Sequence, residues 1–258
     1  MIIIVKPIGN FCNLRCIYCF YSHLDQASFN IMKPNLLKKL IKDMSEIGIP
    51  KVIIIWHGGE PLLAGLDFYR LAVAEQKLYS EVQFENRLQT NATLLNEQWI
   101  SFFKDNNFGI GVSLDGTKCI HDLQRPNSQG GPTFDKIMKN LELMQKSDLK
   151  FGLIQTITSK GLSFIRERQE FFYHKLGLRS WKINFVDEDS CPVNIVSDST
   201  IAISKVSLLQ AYSELIEFWL SCNDSSLEID ELDSFVAAFL GKRPCGCNFS
   251  GSRGSFLC

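Results

Sequence analysis

Cys12, Cys16 and Cys19 stand at C-x3-C-x2-C spacing in the stretch Cys12-Asn13-Leu14-Arg15-Cys16-Ile17-Tyr18-Cys19. Thiolates are soft ligands that suit zinc, copper(I) or iron–sulfur clusters. Three of them on one short loop can hold three irons of a [4Fe–4S] cube. The fourth iron then has no protein ligand and is open to a chelating small molecule. Zinc usually takes four protein ligands, commonly as two separated pairs, which this spacing does not match. Nine cysteines, an odd number, with no secretory segment make a poor disulfide framework.

A chelator that suits such an iron is S-adenosylmethionine (SAM), through its amine and carboxylate. An electron from the cluster breaks its sulfonium C–S bond and yields a 5′-deoxyadenosyl radical that abstracts hydrogen. The cofactors carry that chemistry, and the protein binds and orients them. Trp56-His57-Gly58-Gly59-Glu60-Pro61-Leu62 could serve the SAM ammonium, because Gly58 and Gly59 allow close backbone approach. An ordinary turn is the plainer reading, and Glu60 suits a structural role better than a catalytic one. Gln89, Asn91 and Ser113 offer polar side chains for ribose hydroxyls, although Asn91 and Asp115 equally suit caps and turns. Arg125 could pair bidentately with a carboxylate or form a surface ion pair with Asp122. His121 reads as a structural hydrogen-bonder. Tyr18 is either an adenine neighbour or a core residue.

These residues need a scaffold that brings loops together. Continuous apolar runs alternate with segments of helical period, which indicates a parallel α/β architecture. Strands are expected over residues 2–8, 51–56, 84–90, 108–114, 151–157 and 180–186. Helices are expected over 35–47, with Leu36, Leu37, Leu40, Ile41, Met44 and Ile47 on one face, and over 66–79. Others fall after an Asn96 N-cap, after Thr133, and over 164–176, 204–222 and 229–240. The polar stretch 115–132 reads as a long functional loop. Every special loop follows the C-terminal end of a strand, where parallel barrels bind ligands. The expectation is an open (β/α)6 part-barrel over residues 1–190, a helical bridge over 191–240 and a Cys-rich extension over 241–258.

The formal charge of −1, 45% hydrophobic and 21% charged residues are ordinary for a globular protein. They suggest neither nucleic acid nor an anionic membrane as partner. The apolar opening is too short for a membrane span, so a cytoplasmic location is expected.

Together the stretches 12–19, 56–62, 89–91, 111–116, His121-Asp122 with Arg125, and 131–134 resemble the radical SAM superfamily. More closely they resemble its SPASM-type peptide and protein modifiers, namely ribosomal-peptide maturases such as cyclophane synthases and anaerobic sulfatase-maturating enzymes. The resemblance implies a partial TIM barrel, a SAM-chelated [4Fe–4S] cluster, and a peptide or protein substrate. It places Gly58, Gly59 and Glu60 at the SAM amino group, Asn91 and Ser113 at the ribose, and Arg125 at the carboxylate. It also implies a further Cys-rich domain, of which Cys245, Cys247 and Cys258 look like an incomplete start. One cluster normally needs about four thiolates, so one auxiliary cluster lacking a full ligand set, or none, is expected, with Cys191 and Cys222 as helpers. No catalytic base can be matched. The expected function is hydrogen abstraction from a side chain of a short precursor peptide, giving a crosslink, with electrons from a flavodoxin or ferredoxin. The alternatives are a sulfatase maturase that makes formylglycine, and a SAM- and peptide-binding remnant without turnover.

Overall fold

The computed structural model describes residues 1–19, 21, 29–187 and 200–241. It divides into two compact units. Met1–Arg15, Leu24–Ser113 and Asn127–Phe151 form the first, and Cys16–His23, Leu114–Pro126 and Gly152–Cys258 the second.

In the first unit, β1 (Ile2–Val5), β2 (Lys51–Trp56), β3 (Gln83–Thr90) and β4 (Gly109–Ser113) pair in parallel and in chain order. Val5 lies beside Trp56, Trp56 beside Leu88 and Leu88 beside Ile110, so one register runs across all four strands. In β2 the alternation Val52, Ile54, Trp56 is fully buried, the period-two signature of a strand with one face inward. Helix α1 (Pro34–Ser45) starts with proline in its first turn, where the missing N–H costs nothing. Its buried face is Leu37, Ile41 and Met44. Leu36 and Ile47, expected on that face, are 54% and 52% exposed. Leu36 sits about a quarter-turn from Leu37, and Ile47 lies beyond the last helical residue.

Helices α2 (Leu66–Gln76), α3 (Glu97–Asp105) and α5 (Phe134–Lys146) complete this unit. Asn96 caps α3 as expected, its Oδ1 accepting the Trp99 N–H at 3.1 Å. Tyr69 meets Trp56 and Trp99 edge-on at 5.5 Å each, and Trp99 stacks on Phe103 at 5.4 Å. Such pairs add about 0.5–1.5 kcal/mol each beyond area burial, and here they fasten α2 and α3 to the sheet.

In the second unit, β5 (Phe151–Ile157, whose first residue belongs to the first unit), β6 (Ser180–Phe185) and β7 (Glu228–Ile229) pair in parallel. Six strands were expected. The two-residue β7 is a seventh, too short to show a period. The stretch read as a loop contains helix α4 (Lys118–Gln124), whose buried residues are Ile120, His121 and Gln124. Two of these are polar, so no apolar stripe marks the helix. Instead of one helix over 164–176 there is a 3-10 turn, Ser159–Phe164, then α6 (Ile165–Glu170) and a π turn, Phe171–Lys175. Helices α7 (Lys205–Cys222), capped by the Ser204 hydroxyl, and α8 (Asp230–Phe239) follow.

The fold is thus α/β with parallel strands throughout. No helix among the described residues is long and apolar enough to cross a membrane. Cys191, Cys245, Cys247 and Cys258, the 190/191 boundary and nearly all of the 241–258 extension lie outside the described residues.

Candidate active site

Cys12 belongs to the first unit, and Cys16 and Cys19 to the second. In the first unit, the Gly-Gly turn after β2 lies against the cysteine loop itself. Gly59 N–H donates to Gly9 O at 3.0 Å and Glu60 N–H to Phe11 O at 2.9 Å. A Cβ on Gly59 would fall 1.7 Å from Phe11 O, and Gly58 has φ +111°. Both positions therefore need glycine for backbone packing.

Glu60 is buried, and its two oxygens organise the turn. Oε1 accepts from Leu62 N at 3.1 Å and Thr90 Oγ1 at 2.7 Å, and Oε2 accepts from Asn91 N at 2.8 Å. Burial pushes its carboxyl up to about 7, against the pull of those three donors. Asn91 in turn donates from Nδ2 to Asn13 Oδ1 at 2.9 Å and toward Cys12 Sγ at 3.8 Å. Asn13 donates to Thr93 Oγ1 at 2.8 Å, and Leu14 N–H points at Cys12 Sγ from 3.4 Å. At the ends of β3 and β4, Gln89 Nε2 donates to Ser113 Oγ at 2.9 Å. Gly111 makes room for Gln89, since a Cβ there would lie 2.0 Å from Gln89 Oε1.

In the second unit a buried polar network is centred on Asp115, just after β4. Its Oδ2 accepts from Tyr18 Oη and Gln124 Nε2, each at 2.8 Å, and lies 3.0 Å from Arg125 Nε. Its Oδ1 accepts the Thr156 N–H at 2.9 Å. Burial alone raises the Asp115 carboxyl, but Arg125 foremost, then His121, Arg168 and the Thr156 N–H together outweigh it and hold the group below its usual range. Arg125 Cζ also lies 5.3 Å from the centre of the Tyr18 ring, and Nη1 is 3.8 Å from Cys16 Sγ. The expected alternative, a surface pair of Arg125 with Asp122, is corrected: Arg125 is buried and its carboxylate is Asp115.

His121 accepts the Asp115 N–H at Nδ1, 3.3 Å away. Burial pushes it down to about 4, so it is neutral at ordinary pH, consistent with its structural reading. Behind it lies Arg168, fully buried, donating from Nη1 to Thr156 O at 3.0 Å. A Cβ on Gly116 would meet Arg168 Cγ at 2.5 Å, and one on Gly161 would meet Nη2 at 1.9 Å. Two glycines thus cradle this arginine.

Sequence reasoning missed the roles of Arg168, Thr156, Gln124 and Asn13. Arg168 sits in a charged run that reads as a solvated face. The Asp115-Gly116 pair and the polar residue beside Cys12 were the available signals.

The donor set suits an iron–sulfur cluster. None of Cys12, Cys16 and Cys19 is in a disulfide, and N–H groups face two of the sulfurs. Among the described residues no three His, Cys, Asp or Glu side chains converge to hold one metal ion. A [4Fe–4S] cube takes each thiolate at a different iron, so its ligands stand further apart than those of a single ion.

A family model described as the radical SAM superfamily matches residues 6–163, more than half of the 258 residues. The chain belongs to the radical SAM superfamily. Membership makes it a radical SAM enzyme with a [4Fe–4S] cluster and SAM as cofactors. Among curated relatives, the cysteine-type anaerobic sulfatase-maturating enzyme of Clostridium novyi (strain NT) is 31% identical over 259 residues, covering 96% of this chain and 68% of that enzyme. The serine-type enzyme of Bacteroides thetaiotaomicron is 35% identical over 178 residues, covering 66% of this chain and 42% of that one. Among solved structures, native anSMEcpe with bound AdoMet and Cp18Cys peptide matches with a TM-score of 0.84 and 26% identity, covering 97% of this chain and 68% of that chain. These matches agree with the radical SAM part-barrel expected from the sequence.

Proposed function

We propose that this radical SAM protein oxidises a cysteine or serine side chain of a protein or peptide to formylglycine, as a sulfatase maturase. The observation that carries the reading is the likeness to a cysteine-type anaerobic sulfatase-maturating enzyme along 96% of the chain. The likeness to a related structure with a bound Cp18Cys peptide adds to it. The crosslinking peptide maturase, which the sequence alone favoured, gives way to the alternative.

In this reading Cys12, Cys16 and Cys19 would hold the cluster, which would supply the electron for reductive cleavage of SAM. The chain's residues do the orienting. Glu60 fixes the backbone at Asn91, and Asn91 fixes Asn13 beside Cys12. Gln89 and Ser113, joined to each other, face the ribose, and Arg125 anchors the SAM carboxylate. Tyr18 lines the Cys16 side of the loop. A flavodoxin- or ferredoxin-type protein brings the electron in. Cys245, Cys247 and Cys258 would begin the ligand set of an auxiliary cluster, which would serve as acceptor for the second electron.

The test is anaerobic reconstitution with iron and sulfide, then incubation with SAM, a strong reductant and a peptide carrying a sulfatase maturation motif. Chromatography for 5′-deoxyadenosine and mass spectrometry of the peptide are the readouts. The aldehyde product supports the proposal. Cleaved SAM with an unmodified sulfatase peptide and a crosslinked precursor peptide overturns it. No 5′-deoxyadenosine from a brown, iron-loaded protein identifies a binding remnant.

A further inference from the structure

The polar network of the second unit contains a relay directed at a cysteine sulfur. Asp115 Oδ2 lies 3.0 Å from Arg125 Nε, and the other end of the same guanidinium places Nη1 3.8 Å from Cys16 Sγ. The carboxylate is further fixed by Gln124 and by the Thr156 N–H, both on other elements. Through Oδ2 it also holds Tyr18, which lies between Cys16 and Cys19 in sequence and faces the guanidinium across 5.3 Å. Asp115 therefore restrains the Cys16 side of the loop twice, once through Tyr18 and once through Arg125.

We infer that Asp115 is a positioning residue that aims the Arg125 guanidinium at Cys16 Sγ, and that the pair sets the reduction potential of the cluster bound there. The inference rests on the family's cofactor and not on which substrate is oxidised. Hydrogen bonds to cluster sulfurs and nearby charge are principal determinants of cluster potential, and groups behind the ligands commonly tune metal sites. A donor and a positive charge at Cys16 favour the reduced, more negative cluster, so they raise the potential. The contact involves only residues of this chain, so its effect is read without SAM or peptide.

The test is an anaerobic redox titration followed by electron paramagnetic resonance, without SAM or peptide, on the reconstituted full chain and on Arg125→Gln, Arg125→Lys and Asp115→Asn. Iron content is measured alongside. Arg125→Gln is expected to lower the potential. Asp115→Asn is expected to lower it too, because the freed guanidinium leaves the sulfur. A raised potential in Asp115→Asn means the carboxylate acts only as a negative charge, and overturns the positioning role. If Asp115→Asn fails to fold, Arg125→Lys decides: it keeps the charge without the fork and should also titrate lower. A potential equal to that of the wild type in the lysine variant overturns the inference. A wild-type protein that titrates normally but leaves sulfatase peptides untouched refutes the proposed function and leaves this test standing.

Discussion

Glu60 Oε2 accepts the backbone N–H of Asn91 at 2.8 Å, joining the turn after β2 to the end of β3. With Oε1 already taken by Leu62 N and Thr90 Oγ1, the carboxylate has acceptors where a glutamine would present an NH2. Glu60→Gln therefore sets two donors against each other at Asn91. The expected cost is about 1–3 kcal/mol, that of an unsatisfied buried group, read as a lower thermal midpoint in the metal-free protein.

Gly59→Ala should be far more damaging than Gly109→Ala. The first Cβ would overlap Phe11 O at 1.7 Å, whereas the second would meet Arg87 Cγ at 3.4 Å. Phe11 O is backbone, so it cannot swing aside. Thermal unfolding of both variants is the check, with loss of the folded state for Gly59→Ala and a near-wild-type midpoint for Gly109→Ala.

Replacing Cys12, Cys16 or Cys19 singly by alanine should abolish the SAM-binding cluster and all SAM cleavage. Two thiolates do not hold three irons. Iron content and 5′-deoxyadenosine formation are the measurements, and cleavage retained in any one variant contradicts the cluster assignment.

Glu231, on α8, gives a pH dependence whose sign is set by burial. Burial pushes its carboxyl up from 4.5 to about 8. Oε2 accepts the Ile183 N–H at 2.7 Å and Oε1 has no hydrogen-bond partner among the described residues. The folded state therefore holds a proton that the unfolded chain releases above about 4.5. The group's contribution is complete below that pH and is lost as pH rises through about 8. Glu60 has the same sign but titrates near 7, so the interval from about pH 7 to 9 reports mainly Glu231. The thermal midpoint should fall across that interval, and Glu231→Gln should flatten the fall.

The strands were readable because their burial is simple: Lys51–Trp56 and Phe151–Ile157 match their expected bounds. The Asn96 cap was readable for a local reason, an acceptor three residues ahead of the N–H it meets. Helix α4 was hidden because its inward residues include His121 and Gln124, which face a polar network and not an apolar core. The three cysteines stand out by their spacing, which needs nothing beyond the sequence. The partner of Arg125 could not, because Asp122 is three residues away and Asp115 ten, and chain distance favours the wrong one. Arg168 was less visible still, since its burial depends on the space left by Gly116 and Gly161, which lie on two other segments.

Arg125 also bears on how a ligand would be met. Long side chains normally lose rotamer freedom when they engage a partner, at about 0.5–1.5 kcal/mol each. The Arg125 side chain is 5% exposed and already held by Asp115. That entropy is lost when the chain folds, so an anion reaching the guanidinium meets a side chain already ordered and does not incur that cost again.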